Sequence, residues 1–126
     1  MLPSMRLDNQ VVMVSGAGSG IGKAVAIAVA EAGADCVVCE LPEKQANLEA
    51  VCEAVQALGR RVQSVALRLP DLESIDAAVQ DAVKQMGRVD VLVNNAGINI
   101  PKDALEVTEA DWDRVLDVNL KGLFFL

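Results

Sequence analysis

VVMVSGAGSGIG, residues 11–22, is a run of four apolar residues that leads directly into a loop containing four glycines. A short continuous apolar run is typical of a strand that is covered on both faces. Residues 20–31 are rich in Ala and carry Ile21, Val25 and Val29 at helical spacing, and Gly33 supplies a stop signal. The stretch therefore predicts a buried strand, a glycine-rich turn and a helix.

Glycines at such a turn have a specific chemical use. Without a Cβ the chain can adopt a positive φ and let a diphosphate approach the backbone, while the free N–H groups of the following helix face the anion. The alternative is a glycine-rich turn that binds nothing. The candidate diphosphate-binding residues are Ser15, Gly16, Gly18, Ser19, Gly20, Ile21 and Gly22.

The rest of the chain continues to alternate strand and helix. Apolar runs predict strands at 36–39, 62–67 and 89–93, and apolar stripes predict helices over 42–58 and 72–86 and from 109 onward. Asp71 is positioned to cap the third helix, and residues 108–111 resemble a capping box for the fourth. This order predicts an α/β fold, a Rossmann-type doubly wound parallel sheet with helices on both faces.

The last predicted helix runs to Phe124, Phe125 and Leu126 without a Gly, Asn or Pro to end it. We therefore expect residues 1–126 to be the N-terminal, dinucleotide-binding part of a longer single domain. In that reading, the sheet is truncated after its fourth strand and part of the following helix.

The composition excludes several kinds of chemistry. The 126 residues include no His and no Tyr, which rules out a Ser-His-Asp triad, an imidazole-bound metal and a phenolic acid or base within this chain, and we predict no metal site. A net charge of −7 disfavours binding to nucleic acid. No apolar run approaches the roughly 18 residues of a membrane span. Three cysteines and no secretory start favour a cytoplasmic location.

The second predicted strand carries both a candidate ligand and two thiols. Glu40 follows the strand, 18 residues after Gly22, where a carboxylate can accept hydrogen bonds from the adenosine ribose. A carboxylate there repels the 2′-phosphate of NADP, and Leu41 rather than an Arg follows it, so NAD is the expected cofactor and NADP the less favoured one. The alternative is a solvated strand end. Cys36 and Cys39 should face opposite sides of the sheet as core residues.

Three motifs in this order resemble those of the short-chain dehydrogenases/reductases. Residues 15–22 resemble the family's Thr-Gly-x-x-x-Gly-x-Gly loop, with Ser15 in the Thr position. Asn94-Asn95-Ala96-Gly97 resembles its signature at the end of the fourth strand, and residues 117–122, DVNLKG, resemble a segment of the following helix. The resemblance implies an NAD(P)-dependent oxidoreductase that interconverts a secondary alcohol and a ketone.

The same resemblance assigns roles to single residues. Asn119 corresponds to the family's catalytic asparagine, which kinks its helix and holds a water in a proton relay. The resemblance also implies that five further residues border the cofactor, namely Leu41, Leu69, Asn95, Ala96 and Gly97. Arg68 departs from the family pattern, because an Asp that touches the adenine amine is usual there. Arg has no acceptor for that amine, so we expect Arg68 to stack on the adenine or to pair with Glu40.

The family's remaining catalytic groups are a Ser, a Tyr and a Lys, and a chain without Tyr cannot carry that proton transfer. The resemblance therefore implies that a parent protein is the enzyme and that this chain supplies only Asn119. A truncated dinucleotide-binding module without turnover is the alternative. Residues 94–126 are most similar to the sugar-acid dehydrogenase and 3-oxoacyl-carrier-protein reductase branches. The expected partners are a small alcohol or ketone and further copies of the parent, as a dimer or tetramer.

Overall fold

A computed structural model describes residues 2–126 and contains one sheet of four parallel strands. The strands are β1 (Val11–Ser15), β2 (Asp35–Glu40), β3 (Val62–Ala66) and β4 (Val91–Val93), in the order β3-β2-β1-β4. Residue 12 is in register with residues 36 and 91, and residue 36 with residue 62. The predicted Rossmann-type sheet is confirmed, although β4 is shorter than the apolar run that predicted it.

Three helices lie between the strands and two follow β4, in the order that the sequence predicts. They are α1 (Gly20–Glu31), α2 (Glu49–Ala57), α3 (Leu72–Met86), α4 (Glu109–Leu116) and the short α5 (Leu123–Phe125). Local signals fix several ends. Asp71 accepts hydrogen bonds from the N–H groups of Glu73 and Ser74 at the start of α3, and Thr108 forms a complete capping box with Asp111 at the start of α4.

Two predicted helices are irregular, one of them at Asn119, where the family resemblance implies a kink. The helix expected over 42–58 begins as the 3₁₀ segment Pro42–Leu48 and becomes α-helical only at Glu49. The last helix is interrupted by the π-helical turn Asp117–Gly122. Such turns break the regular i→i+4 ladder, and their positions depend on tertiary contacts that periodicity does not report. Residues 2–126 include no helix with both the length and the apolarity needed to cross a membrane.

The central strands β1 and β2 are buried on both faces, because each face packs against a different helical layer, whereas Val91 and Leu92 of β4 are exposed. Val12 and Val38 belong to the cluster beneath α1 and α2, whereas Met13 and Val37 belong to the cluster beneath α3. The cysteines divide in the same way, with Cys36 in the first cluster and Cys39 in the second, as predicted. Burial raises the pKa of Cys36 to about 11 and that of Cys39 to about 12.

The strand order reverses at β1. The chain proceeds from β1 outward to β2 and β3, and α3 then returns it to the other side of β1, where β4 pairs. Loops leaving the carboxyl ends of β1 and β4 therefore diverge and leave a crevice between them. In open α/β sheets this reversal point is where ligands bind.

An ionic cluster around the buried Asp35 anchors the amino end of β2. The carboxylate of Asp35 accepts hydrogen bonds from Nη2 of Arg60 at 3.0 Å, and from the backbone N–H and Nε of Arg61 at 2.9 and 2.8 Å. Burial is the largest single influence and favours the neutral acid, but the hydrogen bonds from Arg61 and Arg60 together outweigh it and lower the pKa of Asp35. The cluster ties the start of β2 to the segment that leads into β3.

Asp35→Asn should lower the free energy of unfolding by about 1–3 kcal/mol at neutral pH, because two guanidinium groups lose their acceptor charge. Folding lowers the pKa of Asp35 from its ordinary value of 3.8. The contribution of Asp35 to the free energy of unfolding is therefore present above pH 3.8 and is lost as the pH falls through the pKa of the folded state. Urea unfolding at neutral pH and below about pH 3 measures both effects. Asp76→Asn, at an exposed position of α3, is the control. An equal loss for Asp35→Asn at both pH values would contradict the prediction.

Candidate functional site

A cleft of about 1010 Å³ opens at the carboxyl edge of the sheet. It extends from the reversal point between β1 and β4 across the ends of β2 and β3. Ten of the residues predicted to bind a cofactor line it, and these are Gly16, Ser19, Gly20, Ile21, Glu40, Leu41, Leu69, Asn95, Ala96 and Gly97. Residues from separate motifs therefore meet in one cavity of a size typical for ligand sites.

Ser15 and Asn95 join the ends of β1 and β4 beneath this cleft. Oγ of the buried Ser15 accepts hydrogen bonds from the N–H groups of Asn95 and Ala96 at 3.1 Å, and donates to the carbonyl of Val93 at 3.3 Å. In return, Nδ2 of Asn95 donates to the carbonyls of Ser15 and Gly16, both at 3.1 Å. These reciprocal bonds hold the glycine-rich loop against the end of β4.

Two glycines make that contact possible. Gly16 adopts a φ of +66°, and a Cβ on it would lie 3.0 Å from Cα of Ala96. Gly22 lies in the first turn of α1, where a Cβ would overlap the carbonyl oxygen of Gly16 and lie 2.5 Å from Nδ2 of Asn95. Only a residue without a side chain lets α1 start this close to β1.

The start of α1 faces the cleft with its backbone exposed. Ser19 is the N-cap residue of α1, and its side chain makes no capping hydrogen bond to any of residues 2–126. The space around Gly20 is open, because a Cβ on it would have no neighbour within 4 Å. The first N–H groups of a helix have no intrahelical acceptor. The geometry therefore offers several N–H donors and the positive end of the α1 dipole to the cleft.

The carboxylate of Glu40 lies next to this loop. Its Oε2 accepts a hydrogen bond from the N–H of Gly18 at 3.3 Å, and its Oε1 accepts one from the N–H of Leu41 at 2.9 Å. A Cβ on Gly18 would lie 2.7 Å from Oε2. Gly18 therefore belongs to the site as a contact of Glu40 rather than as part of the cleft wall. Each carboxylate oxygen keeps further acceptor capacity.

Asn119 lies in the π-helical turn, outside the cleft lining, and makes a two-point contact with Ile98. Its Oδ1 accepts from the N–H of Ile98 at 2.8 Å, and its Nδ2 donates to the carbonyl of Ile98 at 2.9 Å. Oδ1 would also be 3.2 Å from a Cβ on Gly97. The side chain thereby fixes the segment that follows the Asn-Asn-Ala-Gly motif.

The structure adds wall residues that sequence reasoning missed. Glu43 and Lys44 come from the 3₁₀ segment, and Asp113, Arg114 and Asp117 come from α4 and the turn after it. Arg68, which the sequence singled out, also lines the cleft, but it pairs with Glu43 at 2.6 Å and not with Glu40. Glu43, the acidic partner of Arg68, lies three positions after Glu40, the expected partner. No periodic pattern in the sequence points to Glu43.

Gly22→Ala should destabilise the protein by at least about 2 kcal/mol, because its Cβ would meet the Gly16 carbonyl. Gly20→Ala is the matched control. Gly20 also has a positive φ, +53°, but the space around it is open, so only a backbone strain of about 1 kcal/mol is expected. Chemical denaturation of both variants compares them. Equal losses would show that the close approach at Gly22 is unimportant.

Comparison with known proteins agrees with this geometry. A family model described as short chain dehydrogenase matches residues 10–126. Among curated proteins, 2-dehydro-3-deoxy-D-gluconate 5-dehydrogenase of Escherichia coli (strain K12) is 38% identical over 126 residues, all of this chain and 48% of the relative. The 3-oxoacyl-[acyl-carrier-protein] reductase of Thermotoga maritima is 38% identical over 120 residues, 95% of this chain and 48% of the relative.

Solved structures give the same result. A protein from Sinorhizobium meliloti 1021 superposes with a TM-score of 0.92 at 35% identity, over 98% of this chain and 48% of that chain. A short-chain type dehydrogenase/reductase from Mycobacterium marinum superposes with a TM-score of 0.90 at 26% identity, over 96% of this chain and 47% of that chain. The chain spans about half the length of the curated relatives it matches. Because the family match covers both the glycine-rich loop and the Asn95 motif that contacts it, the chain belongs to the short-chain dehydrogenase/reductase family.

Proposed function

We propose that this chain is the NAD-binding part of an oxidoreductase that interconverts a secondary alcohol and a ketone. The observation that carries the proposal is the meeting of three features in one cleft: the exposed start of α1, the Glu40 carboxylate and the Asn95 motif. Each feature suits a different group of a dinucleotide. Along the sheet edge the order is Glu40, the start of α1 and the Asn95 motif, which matches the order of adenosine ribose, diphosphate and nicotinamide in such a ligand.

The diphosphate fits the start of α1. The cleft wall here comes from Gly16 and from Ser19 to Ile21, and the open space at Gly20 admits a ligand without displacing a side chain. The N–H groups of the first turn and the Ser19 hydroxyl would donate to phosphate oxygens. Gly22 and Ser15 contribute from below by holding the loop in this shape.

The adenosine ribose fits beside Glu40 and Leu41. A carboxylate accepts hydrogen bonds from vicinal ribose hydroxyls, and its charge opposes a 2′-phosphate at the same position. The contact with the Gly18 N–H restrains the carboxylate at the edge of the loop. This favours NAD over NADP.

The nicotinamide half fits toward β4, along Asn95, Ala96 and Gly97. When bound, the nicotinamide supplies the carbon that exchanges a hydride with the alcohol or ketone carbon. Asn119 lies behind this part of the cleft, where its two hydrogen bonds to Ile98 hold the segment in position. We propose that it acts as a catalytic residue by holding, within the π-helical turn, a water of the proton relay.

The groups that exchange the substrate proton are proposed to lie in a longer parent protein, as a Ser, a Tyr and a Lys. The parent's substrate is proposed to be a small alcohol or ketone of the sugar-acid or 3-oxoacyl type, which the names of two relatives support. A cytoplasmic dimer or tetramer is the proposed state of the parent. The second candidate is a dinucleotide-binding module without turnover, favoured by the lack of Tyr in this chain.

Glu40→Gln tests the cofactor preference. It removes the negative charge and keeps one acceptor oxygen, which can serve the N–H of either Gly18 or Leu41. The unchanged protein should bind NAD at least about tenfold more tightly than NADP, and the variant should reduce the ratio to about threefold or less, mainly through tighter NADP binding. Titration calorimetry measures both cofactors, with Glu53→Gln at an exposed position of α2 as control. Equal affinities in the unchanged protein would contradict the preference, and binding of neither cofactor would contradict the proposed function.

The reading frame after Leu126 separates the two candidates. Codons for a Ser and then for Tyr-x-x-x-Lys would support the enzyme, whereas an immediate stop codon would support the module.

In a protein that carries those residues, Asn119→Ala should lower kcat by about 100-fold or more while the Kd for NAD changes less than about twofold. Asn99→Ala, at an exposed position in the segment that follows the Asn-Asn-Ala-Gly motif, is the control. An unchanged kcat would remove Asn119 from the mechanism.

A further inference from the structure

Arg68 is held in the wall of the cleft by one hydrogen bond from its backbone and one from its side chain. Its backbone N–H donates to Oγ of Ser74 at 2.8 Å, and Nη2 of its guanidinium lies 2.6 Å from Oε2 of Glu43. Its side chain is nevertheless 47% exposed. A hydrogen bond of the Glu43 carboxylate to its own backbone, followed by the bond from Arg68, lowers the pKa of Glu43. The pair is therefore ionised at neutral pH, and its geometry restricts where the guanidinium plane can lie.

The position of this pair follows from the sheet order. The start of α1 extends from β1, Glu40 ends β2, and Arg68 lies two residues beyond the end of β3. A dinucleotide with its diphosphate at α1 and its ribose at Glu40 must continue in the same direction, toward β3. The base at its end would then reach the part of the wall formed by Leu41, Arg68 and Leu69.

This end of the cleft offers a flat cation beside apolar side chains. A guanidinium is planar and less strongly hydrated than an ammonium, and it stacks readily on aromatic rings. It has five donors and no acceptor, so it cannot bind the exocyclic amine of adenine. The nearby carboxylate of Glu43 uses its Oε2 to accept from Arg68.

We infer that the Arg68 guanidinium, held by Glu43, is the surface on which the base of the bound dinucleotide stacks, so that the base is bound through its ring face and not through its amine. This inference rests on the proposed function. Stacking is largely insensitive to the identity of the base. The site should therefore accept a dinucleotide whose purine lacks the amine.

The test uses titration calorimetry of the purified protein with NAD and with nicotinamide hypoxanthine dinucleotide, in which a carbonyl oxygen replaces the adenine amine. The unchanged protein should bind the two within about threefold of each other. Arg68→Ala should weaken both by about tenfold, equivalent to about 1.4 kcal/mol. Arg68→Lys keeps the charge but loses the planar group, so it should weaken both to a similar degree. Arg6→Ala removes an arginine from another exposed ion pair, with Asp8, and should change neither affinity.

Two further measurements separate stacking from a general effect on the fold. Nicotinamide mononucleotide lacks the adenosine half, so its binding should not change in Arg68→Ala. Glu43→Gln weakens the hold on the guanidinium by removing the partner's charge, and it should weaken NAD binding by only about threefold.

The outcomes that overturn the inference are distinct from those that overturn the proposed function. If the unchanged protein binds NAD but Arg68→Ala binds it equally well, the inference fails and the proposed function stands. An affinity for the hypoxanthine analogue more than about tenfold below that for NAD would also overturn the inference, because the amine would then be recognised. If the unchanged protein binds neither dinucleotide, the proposed function fails and the inference fails with it.

Discussion

The glycine-rich loop, the start of α1 and the end of β4 meet at the carboxyl edge of the sheet, and the candidate site depends on this contact. Gly22 lies against the Gly16 carbonyl, and Asn95 donates to the carbonyls of Ser15 and Gly16. Close packing of this kind satisfies the buried polar groups of a turn that would otherwise need water. It also directs the open start of α1 into the cleft, so the same contact that closes the fold leaves helix N–H groups free for a ligand.

Stability and proposed ligand binding are separated along the strands. The buried carboxylate of Asp35 and its two arginines lie at the amino end of β2, whereas Glu40 lies at its carboxyl end. The strand between them is apolar and buried on both faces. The two charged ends are separated by the length of β2, roughly 16 Å at 3.3 Å per residue, and the loops at the carboxyl edge can vary without loosening the sheet.

The features that the sequence predicts well are those set by neighbouring residues. The bounds of α1, the Asp71 cap and the Thr108 capping box follow from short-range hydrogen bonding and helical spacing. The pairing of Arg68 with Glu43 was not predictable in this way, and the π-helical turn around Asn119 was expected only as a kink implied by the family resemblance. The turn coincides with the Asn119 contact to Ile98, 21 residues away, and the pair joins residues 25 apart. Such contacts depend on how the layers pack, which a one-dimensional pattern does not contain.

The distribution of the two buried cysteines has an experimental consequence. Cys36 and Cys39 are inaccessible in the closed sheet and remain protonated at neutral pH, so an alkylating reagent meets a reactive thiolate at either position only when the surrounding layer opens. Because the two side chains lie on opposite faces, their alkylation rates report separately on the release of the α1–α2 layer and of the α3 layer. The chain thus carries two intrinsic probes of local unfolding, and no label has to be introduced.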